Sequence, residues 1–185
     1  MGWRRSSLDA AGSLQPCLMI FEDTVHARTI YLSGVIDDDL AKEIIAKLEF
    51  LQSKDPEGEI ELFIDSIGGS INCGLDIIDK IETMDCPVHT ICKTKAEGIA
   101  FNILICGDLR FAVPKSHFSI NSIISNSTSK SSQKEIKSIK KILTDLIYND
   151  TTLSKDDIMS ALDKSRIFDV DEALKHEIID EVFIP

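Results

Sequence analysis

Glu59-Ile60-Glu61-Leu62-Phe63-Ile64-Asp65 has the pattern of a half-apolar strand, and it runs into Ser66-Ile67-Gly68-Gly69-Ser70 before the helical apolar spacing of Ile71 to Ile81. A strand, a tight Gly-Gly turn and a helix start leave backbone N–H groups free to bind an oxyanion. Gly68 and Gly69 are therefore the expected oxyanion-type turn. Further along, Val88-His89-Thr90-Ile91-Cys92 reads as a second strand, followed by Lys93-Thr94-Lys95 and a small-residue helix start at Ala96-Glu97-Gly98-Ile99-Ala100. That helix start is where such a scaffold presents a nucleophile, and Gly98 has no side chain.

The rest of the chain alternates strands and helices. A strand over 28–32 leads to a helix over 38–52 with Leu40, Ile44, Ile45, Leu48 and Leu51 on one face and Asp37 or Asp38 as N-cap. Strands at 59–65, 88–92 and 109–113 alternate with helices at 70–84 and 97–106, an order that predicts a mostly parallel sheet. After a strand at 117–121 comes the polar stretch 125–133, then Ile136, Ile139, Leu143, Leu146 and Ile147 at helical spacing. Lys130, Lys134, Lys137, Lys140 and Lys141 decorate the solvent side of that helix.

Several segments together resemble the proteolytic subunit of Clp protease. They are Leu32-Ser33-Gly34-Val35-Ile36-Asp37-Asp38, Phe63 to Ser70, Thr90-Ile91-Cys92 and Arg110-Phe111-Ala112-Val113-Pro114, with Asp171-Glu172-Ala173 and Ile178 to Val182 near the end. The resemblance runs from about Met19 to Pro185. It implies an α/β fold of the ClpP/crotonase-like type, a spiral of βαβ units with a head and a handle at about 121–149. The chain then divides into an N-terminal segment, residues 1–18, and a single domain, residues 19–185. Met1 to Leu18 shows no clear counterpart of the family's axial loop, and its origin stays open between a tag and a truncated precursor.

The resemblance places the family's catalytic serine at Gly98, its histidine at Asn121 and its aspartate at Ser165. Peptidase turnover of that type needs a hydroxyl nucleophile, an imidazole that takes and returns a proton, and a carboxylate that fixes the imidazole tautomer. In a serine protease of another fold, loss of the serine or histidine alone costs roughly 10⁶-fold in turnover. The expectation is a catalytically inactive paralogue of the ClpR type. His117 cannot replace the missing base, since four residues of strand at ~3.3 Å each set it about 13 Å from Asn121. Ser66, Ser119 and Ser122 have no evident base beside them. Cys92 and Cys106 lie in apolar runs and read as buried, unreactive thiols.

Composition sets further bounds. With 185 residues, 43% apolar and 28% charged, the chain suits one domain, and no run of 18 apolar residues is present. Five cysteines without a C-x-x-C pair argue against a disulfide framework or a structural zinc site, and imply a reducing compartment. No cofactor and no metal are expected. A net charge of −11 argues against nucleic acid and anionic membranes as partners.

What the resemblance implies about partners is a homo-heptameric ring, an active ClpP-type subunit and a Clp AAA+ unfoldase. Family members of the ClpR type occur in chloroplasts, related plastids and cyanobacteria, so a plastid, including a relict plastid or apicoplast, is the expected location. Two departures bear on assembly: the handle reads Ile123-Ile124-Ser125-Asn126-Ser127-Thr128-Ser129 where the family is glycine-rich, and Ile67 replaces a proline. Docking of the unfoldase is expected on apolar residues of the Leu40–Leu51 helix and the 59–65 strand. Two other readings remain open, an acyl-CoA enzyme of crotonase type with Glu97 as acid or base, and a weak serine peptidase with relocated residues.

Overall fold

A computed structural model describes residues 28–123 and 130–183. The elements run β1 (Thr29–Ile36), α1 (Asp38–Lys54), β2 (Ile60–Gly69), α2 (Ile71–Glu82), β3 (Val88–Glu97), α3 (Ile99–Ile105), β4 (Leu109–Ala112), β5 (His117–Ile120), α4 (Lys130–Asp150), α5 (Lys155–Lys164), β6 (Arg166–Phe168), α6 (Val170–Lys175) and β7 (Glu181–Val182). This is the expected α/β architecture. The 1–18 segment and handle residues 124–129 lie outside the described residues.

The main sheet has the order β1-β2-β3-β4-β7, and every neighbouring pair in it is parallel. β3 carries two partners in succession. Its first half pairs with β4 from His89↔Leu109 to Cys92↔Ala112, and its second half pairs with β5 from Lys95↔His117 to Glu97↔Ser119. A bulge allows the change, because Ile64↔Cys92 is followed by Ser66↔Ala96, with Lys93, Thr94 and Lys95 opposite the single residue Asp65. An extra-residue bulge bends and twists its strand, which turns the end of β3 away from β4 and toward β5. β6 then pairs antiparallel with β5.

Apolar residues cover one side of the sheet in a continuous core. Ile30, Leu32, Ile36, Ile60, Leu62, Ile64 and Val88 meet Ile44 and Leu48 of α1 and Ile77 and Ile78 of α2. All seven residues of α3 are buried, among them a single polar one, Asn102. A helix apolar on every side belongs inside a fold, and α3 packs on β2, β3, α2 and α4. Asp37 caps α1 and Ser70 caps α2, each side chain accepting a backbone N–H from the first turn. The lysine helix begins at Lys130, earlier than the polar composition of 125–133 suggests, and its Leu143 and Ile147 reach the core.

Two clasps fix the periphery. Arg28 donates to four backbone carbonyls, Leu51 at 2.8 Å, Gly58 at 2.7 Å, Glu59 at 3.0 Å and Asp55 at 3.1 Å, and so satisfies the end of α1 and the start of β2 together. Arg110 holds Asp180 through a forked pair at 2.7 and 3.1 Å, its N–H adds a third bond at 2.8 Å, and another arm reaches the Asp150 carbonyl at 2.6 Å. Partial burial pushes the Asp180 carboxyl up, but the bonds and charge from Arg110 outweigh it and hold its pKa below the usual value. A depressed carboxylate pKa contributes stability above the unfolded pKa and loses it as pH falls through the folded one.

Asp180→Asn should therefore cost about 1–3 kcal/mol at neutral pH, and the gap to the parent should close as pH falls below the carboxylate range; urea unfolding at stepped pH reads both. Gly69→Ala tests the β1–β2 contact. A Cβ there would lie 2.2 Å from the Ile36 carbonyl oxygen and 2.6 Å from its nitrogen. Backbone cannot retreat as a side-chain end can, so a loss of roughly 2 kcal/mol or more is expected in the same assay.

Candidate functional site

The Gly-Gly stretch expected to turn is the last part of β2, where Gly68 and Gly69 pair with Val35 and Ile36 of β1, and it touches the turn after β3. Gly68 has φ +85°, and a Cβ on it would lie 2.7 Å from the Glu97 carbonyl oxygen and 3.3 Å from the Ile99 nitrogen. Only glycine combines that φ with that closeness. Of the two turn glycines expected to offer N–H donors, Gly68 donates to Ser66 Oγ at 3.0 Å, so that donor is engaged. Ser66 in turn donates to the Gly34 carbonyl at 2.6 Å, which gives this buried serine a structural place. Gly69 lies beyond the end of the β2–β3 ladder and lines a pocket.

Gly98 forms the sharp strand-to-helix turn between β3 and α3 with φ 58° and ψ −124°. Its N–H donates to the Ser119 carbonyl at 2.8 Å, which ties the turn to β5. A strained turn of this kind is how α/β hydrolases lift a nucleophile into the open. A Cβ on Gly98 would lie 3.3 Å from Asn121 Nδ2, so residue 98 aims at residue 121. Asn121 is oriented by Ser119, whose Oγ donates to Asn121 Oδ1 at 2.7 Å.

Ser165 completes the group from the other side. It ends α5 with φ 62°, and its N–H donates to the Ala161 carbonyl at 2.8 Å. Its Oγ accepts the Ser122 N–H at 2.8 Å. The β5–β6 register, ending at Ile120↔Arg166, sets residues 121 and 165 opposite each other one step beyond the ladder. Gly98, Asn121 and Ser165 come from three separate stretches of chain and converge at one end of the sheet.

A pocket of about 200 Å³ opens beside them, walled by Ile67, Ile71, Ile99, Ile123, Leu143 and Leu162, with Gly69, Gly98, Asn102, Asn121 and Ser122 also on its lining. The Clp protease family model matches residues 13–185.

The chain belongs to the Clp protease family. Members of this family form ring oligomers that work with AAA+ unfoldases. In the Clp frame, the three converging residues stand where the sequence resemblance placed nucleophile, base and acid, and here they are glycine, asparagine and serine.

Neighbouring titratable groups are committed elsewhere. His117 Nε2 lies 3.0 Å from Glu97 Oε1, a pair at the β3–β5 junction, and neither residue is on the pocket lining. Glu97 is thus occupied rather than poised as an acid or base toward the pocket. Burial pushes the Cys92 thiol up to about 12, and burial also raises Cys106, whose Sγ donates to the Ile103 carbonyl at 3.1 Å. Both thiols are protonated at neutral pH, as their apolar settings suggest. Among the described residues no group of three metal-ligating side chains is gathered, and no helix is long and apolar enough to cross a membrane.

Sequence reading weighed Ser119 and Ser122 only as nucleophiles and not as the hydrogen-bond partners of Asn121 and Ser165, and it passed over Asn102 of α3. A lone polar residue inside an otherwise apolar buried helix is the signal that could have found Asn102.

Substituting Gly98 brings a β-carbon into a left-handed backbone and against the Asn121 amide. Gly98→Ala and Gly98→Ser should each lower stability by roughly 1–3 kcal/mol. Equal losses in thermal or urea unfolding would assign the cost to the backbone; a recovery confined to serine would show that its hydroxyl gains a hydrogen bond.

Proposed function

We propose that this chain is a non-catalytic, ClpR-type subunit that serves as an architectural and regulatory part of an ATP-dependent Clp protease assembly. The observation that carries the reading is the convergence of Gly98, Asn121 and Ser165 in a preserved strand-turn-helix frame. The frame keeps the elbow and the glycine pair at the end of β2, while positions 98, 121 and 165 carry no nucleophilic hydroxyl, imidazole or carboxylate in the roles the resemblance implies. Asparagine has no proton affinity useful near neutral pH, and a serine at 165 supplies no negative charge to orient a base.

Purified protein should stay unlabelled by fluorophosphonate and β-lactone probes, and Gly98→Ser alone should give no useful peptide turnover, because base and acid would still be missing. Stoichiometric labelling of a serine, or substantial turnover by the single variant, would overturn the reading.

The partners in this reading are copies of the same chain in a heptameric ring, an active ClpP-type subunit and a Clp AAA+ unfoldase, in a plastid stroma or its equivalent. The branched and polar residues at 123–129 favour single or loosely stacked heptamers over a locked double ring. Apolar docking is redistributed by the fold relative to the sequence expectation. Ile44, Leu48, Ile60, Leu62 and Ile64 belong to the core, so Leu48 cannot meet a partner without unfolding. The groove actually offered has Ile30, Ala46, Phe50 and Leu51 on its lining, with Phe50 58% exposed.

Native mass spectrometry of the chain alone, then mixed with an active family member, should give a heptamer and mixed or stacked rings. A monomer at micromolar concentration would defeat the ring. Phe50→Asp should abolish capture of a Clp unfoldase while leaving the heptamer intact, and raised salt should change that capture little.

A further inference from the structure

Two exposed stripes of opposite charge flank α4. On one side Lys134, Lys137 and Lys141 stand at exposed positions three and four residues apart, which makes them one stripe of the helix. They border a groove floored by Ile136, Thr144 and Met159, with Met159 40% exposed. The other two lysines of the groove are committed: Lys140 holds Asp163 at 2.5 Å and Lys155 holds Asp145 at 3.3 Å, and both pairs tie α4 to α5. Lys134, Lys137 and Lys141 have no ion-pair partner among the described residues, in a chain whose net charge is −11.

On the other side Asp76, Asp79 and Glu82 of α2 are exposed at every third residue, and none of them meets a cation among the described residues. Lys80, the one lysine of α2, turns instead to Glu49 of α1 at 3.1 Å. These acids rim a second groove, where Leu75 and Ile78 of α2 meet Ile142 and Leu146 of α4, and Ile142 is 45% exposed. Ile142 and Thr144 are two residues apart, about 200° around the helix. The two grooves therefore lie on opposite flanks of α4, and one molecule offers both at once.

We infer that a second copy of this chain docks head to tail across these flanks: the stripe of Asp76, Asp79 and Glu82 lies along Lys134, Lys137 and Lys141 of the next copy, and Ile142 enters the groove floored by Ile136 and Met159. The stripes match in length, about 9 Å from 76 to 82 and about 10.5 Å from 134 to 141 at 1.5 Å per residue. Packing the lysine faces of two α4 helices together sets like charges against each other, which opposes that alternative. Exposed ion pairs bring little affinity of their own, so the apolar contact supplies binding and the charges fix its register. Because the two surfaces differ, the contact is heterologous and passes from copy to copy until a rotation closes a ring. The inference rests on the ring in the functional reading and names the surfaces that build it.

The test compares the full chain with three variants by native mass spectrometry and sedimentation: Lys137→Glu with Lys141→Glu, Asp76→Lys with Asp79→Lys, and all four changes in one chain. Every altered position is exposed, and circular dichroism with thermal unfolding verifies each fold. Each reversed pair alone should weaken association roughly tenfold or more, and the chain with all four changes should recover it. An equal mixture of the two reversed pairs should also assemble. Its neighbours must alternate, so its closed rings have an even number of subunits and the heptamer is lost. Raised salt should loosen the parent assembly, since the stripes are exposed.

An assembled parent whose mass neither reversed pair alters overturns the inference alone and leaves the ring to other surfaces. Loss of assembly with the lysine pair but not with the acid pair overturns it too, because the groove then has another occupant. So does a lysine pair that costs only the binding of an active family member, which makes that occupant a foreign acidic surface. If one reversed pair fails to fold, the other decides, since either one unchanged in association sinks the contact. A parent that is monomeric at micromolar concentration instead sinks the ring and this inference together.

Discussion

The structure depends on one strand serving two neighbours. β3 must leave β4 after Cys92 and take up β5 at Lys95, and the Lys93-Thr94-Lys95 bulge opposite Asp65 is the device that lets it do so. Without that change of partner the end of β3 would run on beside β4, and Gly98 would not hang from the Ser119 carbonyl next to Asn121. The parallel sheet supplies rigidity up to the bulge. Beyond it, the β3–β5–β6 corner supplies position, carrying residues 98, 121 and 165 to a common point through two registers of opposite sense.

α3 is the second half of that arrangement. It starts at the elbow, lies entirely in the core and is braced by Thr90, whose hydroxyl donates to the Leu104 carbonyl at 2.6 Å. Gly74 of α2 allows the close approach, since a Cβ there would collide with the Ile99 side chain at 2.1 Å. The elbow is therefore held by packing against neighbouring elements, not by any group that reacts. A site built on a rigid corner keeps its geometry when its chemistry changes.

Legibility followed the kind of force involved. The cap at Asp37 and the apolar face of α1 are local patterns, and each was visible in the sequence, whereas the Gly-Gly stretch expected to turn continues β2 to Gly69 because β1 pairs with it there. β3 was legible only to Cys92, because a bulge of two lysines and a threonine has the composition of a loop although it continues the strand to Glu97. β1 likewise continues through the exposed Ser33-Gly34-Val35 to Ile36, held there by β2 and not by its own burial. At the site, positions 98, 121 and 165 came from family resemblance. The bonds that hold the latter two, from Ser119 and Ser122, became apparent only in space, as did the unpaired oxygen of Asn102. The apolar spacing of α1 marked the helix and its buried face, but the docking surface expected on that face fell on core residues such as Leu48, while Phe50, two residues on and so about 200° around the helix, is exposed.

The Arg28 clasp has a mechanical meaning. One guanidinium grips four carbonyls on the α1 end and the β2 start, immediately before β1 begins. Tension applied to the chain from its N-terminal side reaches this grip before it reaches the β1–β2 ladder. The load divides among four acceptors at once before it reaches the parallel β1–β2 pairing. The edge strand β1 is thus anchored at the residue where such a load would enter it.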